Sequence, residues 1–139
     1  MKTKILIVED NEKNMYMLSF LLRSENFEVI ETFSGKEGIA SAIIHEPDVI
    51  LLDIQLPEMN GYTVAIKIRE IEKLKHTPII AVTSYAMPGD REKAIESGAT
   101  GYIEKPINPD TFISQMKSFL PTELLSKMGD WNENINSWW

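Results

Sequence analysis

Cysteine is absent from this chain of 139 residues. Its absence excludes disulfide frameworks, Cys-ligated zinc, iron–sulfur clusters and thiol catalysis. Histidine occurs only 2 times, which disfavours a multi-histidine metal site. Cationic charge is also scarce, with 14 Lys+Arg against 21 Asp+Glu and a formal net charge of −7. A reader of the phosphate backbone needs a basic footprint, so nucleic-acid binding is not expected. Apolar runs such as Val49-Ile50-Leu51-Leu52 are far shorter than the roughly 20 residues that cross a membrane, so no membrane role is expected. The amino terminus enters a strand-like segment at Ile5 with no signal-peptide core before it. A cytoplasmic location is the corresponding expectation.

What is present reads as one globular domain, with 43% hydrophobic and 25% charged residues. Short aliphatic or β-branched runs at 5–8, 28–31, 49–52, 79–82 and 101–103 read as strands. The uniformly apolar ones suit strands buried on both faces. Segments of helical length separate them. Met15, Leu18 and Leu22 form one apolar stripe, and Val64, Ile68 and Ile71 recur at i, i+4 and i+7. Ser34 followed by Glu37 predicts a capping box, Gly98 suits the end of the fourth helix, and Asn108-Pro109 predicts the cap and first residue of the fifth. Five strands alternating with five helices predict an α/β fold, (βα)5, doubly wound, with a parallel sheet covered on both faces.

Pro121 ends the fifth helix, which sets a domain over 1–120 and a tail over 121–139. The tail is expected to hold one short helix and then a flexible end containing all 3 tryptophans. It is too short for a DNA-binding module, so output through protein–protein contact is expected.

In an open parallel sheet, ligands sit beyond the carboxyl ends of the strands. Those ends carry Glu9-Asp10, Asp53, Thr83-Ser84 and Glu104-Lys105-Pro106. Each has a plainer explanation. Asp10 or Asn11 could cap the first helix, Thr83 or Ser84 the fourth, and Lys105 could be a solvated charge. Asp53 resists this, because it directly follows a fully apolar run and needs a partner there. Taken together, the set suits phosphoryl chemistry. Asp53 is a carboxylate nucleophile, Glu9 and Asp10 are metal holders, Lys105 is a counter-charge and Thr83 is a hydrogen-bond donor.

These segments resemble the receiver domain of two-component response regulators over roughly residues 4–120. The resemblance rests on Ile5-Leu6-Ile7-Val8-Glu9-Asp10-Asn11, on Asp48 through Gly61, on Pro78-Ile79-Ile80-Ala81-Val82-Thr83-Ser84 and on Gly101-Tyr102-Ile103-Glu104-Lys105-Pro106. It implies a flavodoxin-like strand order of 2-1-3-4-5. It also implies phosphorylation of Asp53 by a sensor histidine kinase or histidine phosphotransfer protein, with no enzymatic turnover beyond self-catalysed phosphotransfer and autodephosphorylation. Mg²⁺, with Mn²⁺ as a substitute, would be held by Asp10, Asp53 and the backbone carbonyl of Gln55, with Glu9 acting through water. Thr83 and Lys105 would contact the phosphoryl oxygens, Tyr102 matches the switch aromatic, and Lys105-Pro106 is expected to be cis. Partners would sense the switch on the face of helix 4, strand 5 and helix 5, and the protein would be a monomer or weak dimer.

Glu9 stands where the family more often has Asp. Gln55 and Tyr85 occupy the positions that tune hydrolysis, and both are long enough to reach over a phosphate. Their pairing looks most like the stand-alone receivers of bacterial cell-cycle and developmental relays. An aspartate-nucleophile phosphohydrolase would need an acid where Gln55 stands. A phosphorylation-independent pseudo-receiver would usually lack one of the acidic pair, Asp53, Thr83 or Lys105.

Overall fold

The computed structural model describes residues 2–84 and 87–128. Its elements run β1 (Lys4–Val8), α1 (Glu12–Ser24), β2 (Glu28–Thr32), α2 (Gly35–His45), β3 (Val49–Asp53) and α3 (Gly61–Arg69). A 3-10 turn at Glu72–Leu74 then leads to β4 (Ile79–Thr83), α4 (Asp90–Glu96), β5 (Gly101–Glu104), α5 (Phe112–Ser118) and α6 (Thr122–Lys127). All neighbouring strands pair in parallel, in the order β2-β1-β3-β4-β5. The expected α/β architecture and strand order are both present.

Side-chain alternation on the central strands builds two cores. Ile5, Ile7, Val49, Leu51, Ile80 and Val82 pack with Leu18 and Leu22 of α1 and with Phe112 and Met116 of α5. On the other face, Leu6, Val8, Ile50, Leu52 and Ile79 pack with Ala42 of α2 and with Val64 and Ile68 of α3. Leu124 of α6 joins the first core, so the short helix after Pro121 docks on the sheet. Among the described residues, the third cluster is small: its buried members are Ile54, Ala81, Ala94 and Ala99, with Tyr62 and Tyr102 packed against them, and Ala94 is the one buried residue of α4.

Several element ends differ from expectation. Ile71 lies beyond α3 and precedes the 3-10 turn, because the α-helix stops at Arg69. Asn108 does not cap α5. Its side chain accepts from Asp110 N–H at 2.9 Å, and its carbonyl accepts from Thr111 and Phe112, which forms a turn before the helix starts at Phe112. Ser34 Oγ does accept from Glu37 N–H at 3.1 Å. The reciprocal half of the box is shifted, because Glu37 Oε1 takes the N–H of Phe33 and not that of Ser34.

Candidate functional site

Strand register brings the site together. Val8 pairs with Leu52, so Glu9 follows level with Asp53. Asp53 pairs with Val82, and Thr83 pairs with Glu104, so Thr83 and Lys105 reach the same edge from two further strands. Glu9, Asp53 and Thr83 each immediately follow a buried apolar residue, which fixes the direction of each of these side chains at the sheet end.

Asn11 decides one open alternative. Its side chain accepts from Asn14 N–H at 3.0 Å and caps α1, which leaves Asp10 for other work. Glu9 is 1% exposed and accepts from Asn11 N–H at 3.1 Å. Neither Thr83 nor Ser84 caps α4, whose first residue is Asp90 and whose capping position is Gly89. Lys105 is no solvated surface charge. Its Nζ donates to Glu9 Oε1 at 2.8 Å and lies 3.5 Å from Asp53 Oδ1. The Lys105–Pro106 peptide bond is cis.

Asp53 is 4% exposed. Burial, and then the neighbouring Glu9 charge, lift its pKa from an ordinary 3.8 to about 7. The Lys105 ammonium and the Gln55 N–H, which donates to Asp53 Oδ1 at 3.0 Å, pull in the opposite direction. A buried carboxylate whose anionic form is disfavoured by burial and by a neighbouring carboxylate is stabilised by an added cation. Glu9, Asp10 and Asp53 each offer one carboxylate oxygen, and these oxygens lie within 4.8 Å of one another. A purely oxygen donor set fits a hard divalent ion.

On the β4 side, Gln55 Nε2 donates to Thr83 Oγ1, and Gln55 Oε1 accepts from Ser84 N–H at 2.9 Å. The side-chain amide therefore ties the end of β3 to the end of β4. The sequence showed that Gln55 had the reach, but not what it would grip. Tyr102 is half-buried and hydrogen-bonded to Thr83. Burial, with Asp90 next, raises its phenol pKa. Tyr85, the other expected hydrolysis-tuning residue, and the tryptophan-rich end lie outside the described residues.

Two supporting residues escaped the sequence reading. Arg69 donates to the carbonyls of Gly98, Leu74 and Thr77 at 2.9, 2.9 and 2.6 Å, fastening the turn after α4 to the end of α3. Lys93 sits 4.5 Å from the centre of the Tyr62 ring and joins α4 to α3. Backbone carbonyls and ring faces are targets that leave no sequence signal.

The comparisons with known proteins agree with this geometry. The family model of the response regulator receiver domain matches residues 5–117. The polar-differentiation response regulator DivK of Brucella ovis is 45% identical over 120 residues, which are 86% of this chain and 98% of that one. The chemotaxis protein CheY4 of Vibrio cholerae superimposes with a TM-score of 0.83 at 31% identity, over 86% of this chain and 100% of that one. The receiver domain of the sensor histidine kinase PA1611 from Pseudomonas aeruginosa, solved with a magnesium ion coordinated in its active site cleft, gives 0.78 at 33% identity. That match covers 86% of this chain and 98% of the other. With its sheet order, its acidic edge and its matched residues in agreement, the chain belongs to the response regulator receiver family.

Proposed function

We propose that Asp53 accepts a phosphoryl group from a phosphohistidine donor, a sensor kinase or a histidine phosphotransfer protein, and that the resulting acyl phosphate switches an outward face. The observation that carries this reading is the Lys105 ammonium, held between Glu9 and Asp53 at 2.8 and 3.5 Å in a largely buried site. A fixed cation beside a buried carboxylate stabilises the charge that builds up on a transferring phosphoryl group.

An Asp53 oxygen attacks phosphorus, and the O–P bond forms as the P–N bond to the donor imidazole breaks. The imidazole leaves with the bonding electrons and is protonated from solvent. Attack by water later returns the carboxylate and inorganic phosphate. Asp10, Asp53 and the backbone carbonyl of Gln55 would hold Mg²⁺ or Mn²⁺, with Glu9 acting through water, and the ion would neutralise phosphoryl oxygen charge. Lys105 supports the same charge from the other side, and Thr83 offers its hydroxyl.

The weak packing of α4 supports a switch on this side of the molecule. An element anchored by Ala94, Lys93 and the Arg69 clamp can adopt a second packing at little cost. The adjoining face includes a groove of about 550 Å³ lined by Met87, Gly89, Tyr102 and Gln115, which is the surface we assign to a downstream protein. A cytoplasmic location accompanies this reading, since the phosphoryl groups come from ATP-fed kinases. Among the described residues, no helix is long and apolar enough to cross a membrane.

The test is incubation with acetyl phosphate and Mg²⁺ followed by mass mapping. One phosphoryl group on Asp53, lost in Asp53→Asn and nearly lost without Mg²⁺, is the expected result. Modification elsewhere, or none at all, overturns the assignment.

A further inference from the structure

Gln55 makes three hydrogen bonds that together span the gap from β3 to β4. Its backbone N–H donates to Asp53 Oδ1, its Nε2 donates to Thr83 Oγ1, and its Oε1 accepts from Ser84 N–H. A primary amide can donate and accept at once, and here it meets a hydroxyl oxygen with one end and a backbone N–H with the other. The two groups it grips belong to successive residues at the end of β4, directly after Val82, the β4 neighbour of Asp53.

A phosphoryl group on Asp53 brings three acceptor oxygens to this edge. The polar groups at the end of β4, next along from the strand neighbour of Asp53, are the Thr83 hydroxyl and the Ser84 N–H, and the Gln55 carboxamide engages both. Ser84 N–H has a single proton, so it cannot serve the Gln55 carbonyl and a phosphoryl oxygen fully at the same time. Resting on the reading that Asp53 is the phosphoryl acceptor, we propose that the Gln55 side chain is a resting-state latch. It holds the Ser84 N–H before phosphorylation, with its other end on Thr83, and loses the Ser84 anchor when the phosphoryl group arrives.

The direction of the exchange follows from charge. Hydrogen bonds to an anionic oxygen are roughly twice as strong as those to a neutral amide, so the phosphoryl group wins the Ser84 N–H, whereas the Thr83 hydroxyl, which accepts from Gln55, keeps its own proton to donate. Without the Ser84 anchor the carboxamide is free to leave Thr83, and because Thr83 is also bonded to Tyr102, the change reaches the half-buried ring on β5. Gln55 is thus a positioning residue that sets how readily the switch is thrown. Its backbone carbonyl, the group assigned to the metal, is unaffected by a change of side chain.

Two measurements test the latch, with beryllofluoride and Mg²⁺ as the phosphoryl stand-in. The first compares affinities. Gln55→Met keeps the length and removes both polar ends, so it should bind beryllofluoride about 3- to 10-fold more tightly than the parent. The second uses the unaltered protein and follows the Gln55 side-chain NH₂ and the Ser84 amide by NMR. Both should be protected from exchange at rest, and the Gln55 NH₂ should lose its protection on beryllofluoride binding. Equal or weaker binding by the variant, or a Gln55 NH₂ equally protected in both states, overturns the latch while leaving Asp53 as acceptor. Failure of the parent itself to bind beryllofluoride overturns the acceptor reading, and the latch falls with it.

Discussion

The Lys105 ammonium lies 2.8 Å from Glu9 Oε1 and farther, at 3.5 Å, from Asp53, so Glu9 is its nearer counter-charge at rest. Glu9 therefore does more than extend an acidic pair. It holds the lysine at the edge of the site, beside Asp53 Oδ1.

Removing that cation should be costly. Lys105→Met leaves two buried carboxylates facing each other, and breaking a buried ion pair costs about 3–5 kcal/mol. Urea unfolding should show the larger loss at pH 8. The loss should shrink near pH 5, where protonation relieves the repulsion. An equal loss at both pH values would contradict the arrangement.

The opposite sign is expected for Asp53→Asn. The folded carboxyl titrates at about 7 and the unfolded one near 3.8, so the folded protein retains a proton that the unfolded chain has released. Ionising Asp53 therefore costs stability that accumulates from about pH 4 to about pH 7 and is fully expressed above that. The asparagine variant avoids this cost. In metal-free buffer its advantage should be small near pH 4 and on the order of 2–4 kcal/mol at pH 8. A variant no more stable than the parent at pH 8 would refute the raised pKa.

Metal affinity should follow the same titration. Mg²⁺ must displace the Asp53 proton below pH 7, so its dissociation constant should weaken by about tenfold for each pH step down and level off above. Calorimetry between pH 5 and 8 measures this directly. A flat profile would mean that the ion binds without Asp53.

The β3–α3 connection tolerates no side chain at Gly61. A Cβ there would meet the Asp53 carbonyl oxygen at 2.5 Å and Ile54 Cα at 2.7 Å, both backbone atoms that cannot swing aside. Gly61→Ala should cost about 1–3 kcal/mol and lower phosphoryl uptake by displacing the Asp53 backbone. Thermal melts and the acetyl phosphate reaction together check both effects.

Helix α4 should exchange its amide protons faster than α1. The first buries a single alanine, whereas α1 buries Met15, Leu18, Ser19 and Leu22. Hydrogen exchange by mass spectrometry resolves the two peptides. Equal protection would remove the structural basis for placing the switch at α4.

Much of this molecule is legible in one dimension. The apolar runs that become β1, β3 and β4 have the length and composition of strands covered on both sides, and the Leu18–Leu22 stripe marks the face α1 buries. Asp53 stood out because a carboxylate after Val49-Ile50-Leu51-Leu52 has no solvent to ionise into. The start of α5 was less readable. Asn108 and Pro109 carry a capping pattern, but the cap's own carbonyl and side chain close a turn instead, and the helix begins at Phe112.

The alternation of strands and helices, and the residues that stand at the strand ends, can be read along the chain, because periodicity and turn chemistry are local. That Asn11 and not Asp10 caps α1, that Lys105 pairs first with Glu9, and that Gln55 grips Thr83 and Ser84 emerged from the folded arrangement. The Lys105 and Gln55 outcomes depend on distances between residues 28 to 96 positions apart in the chain. Such distances are set by parallel register, and no local pattern encodes them.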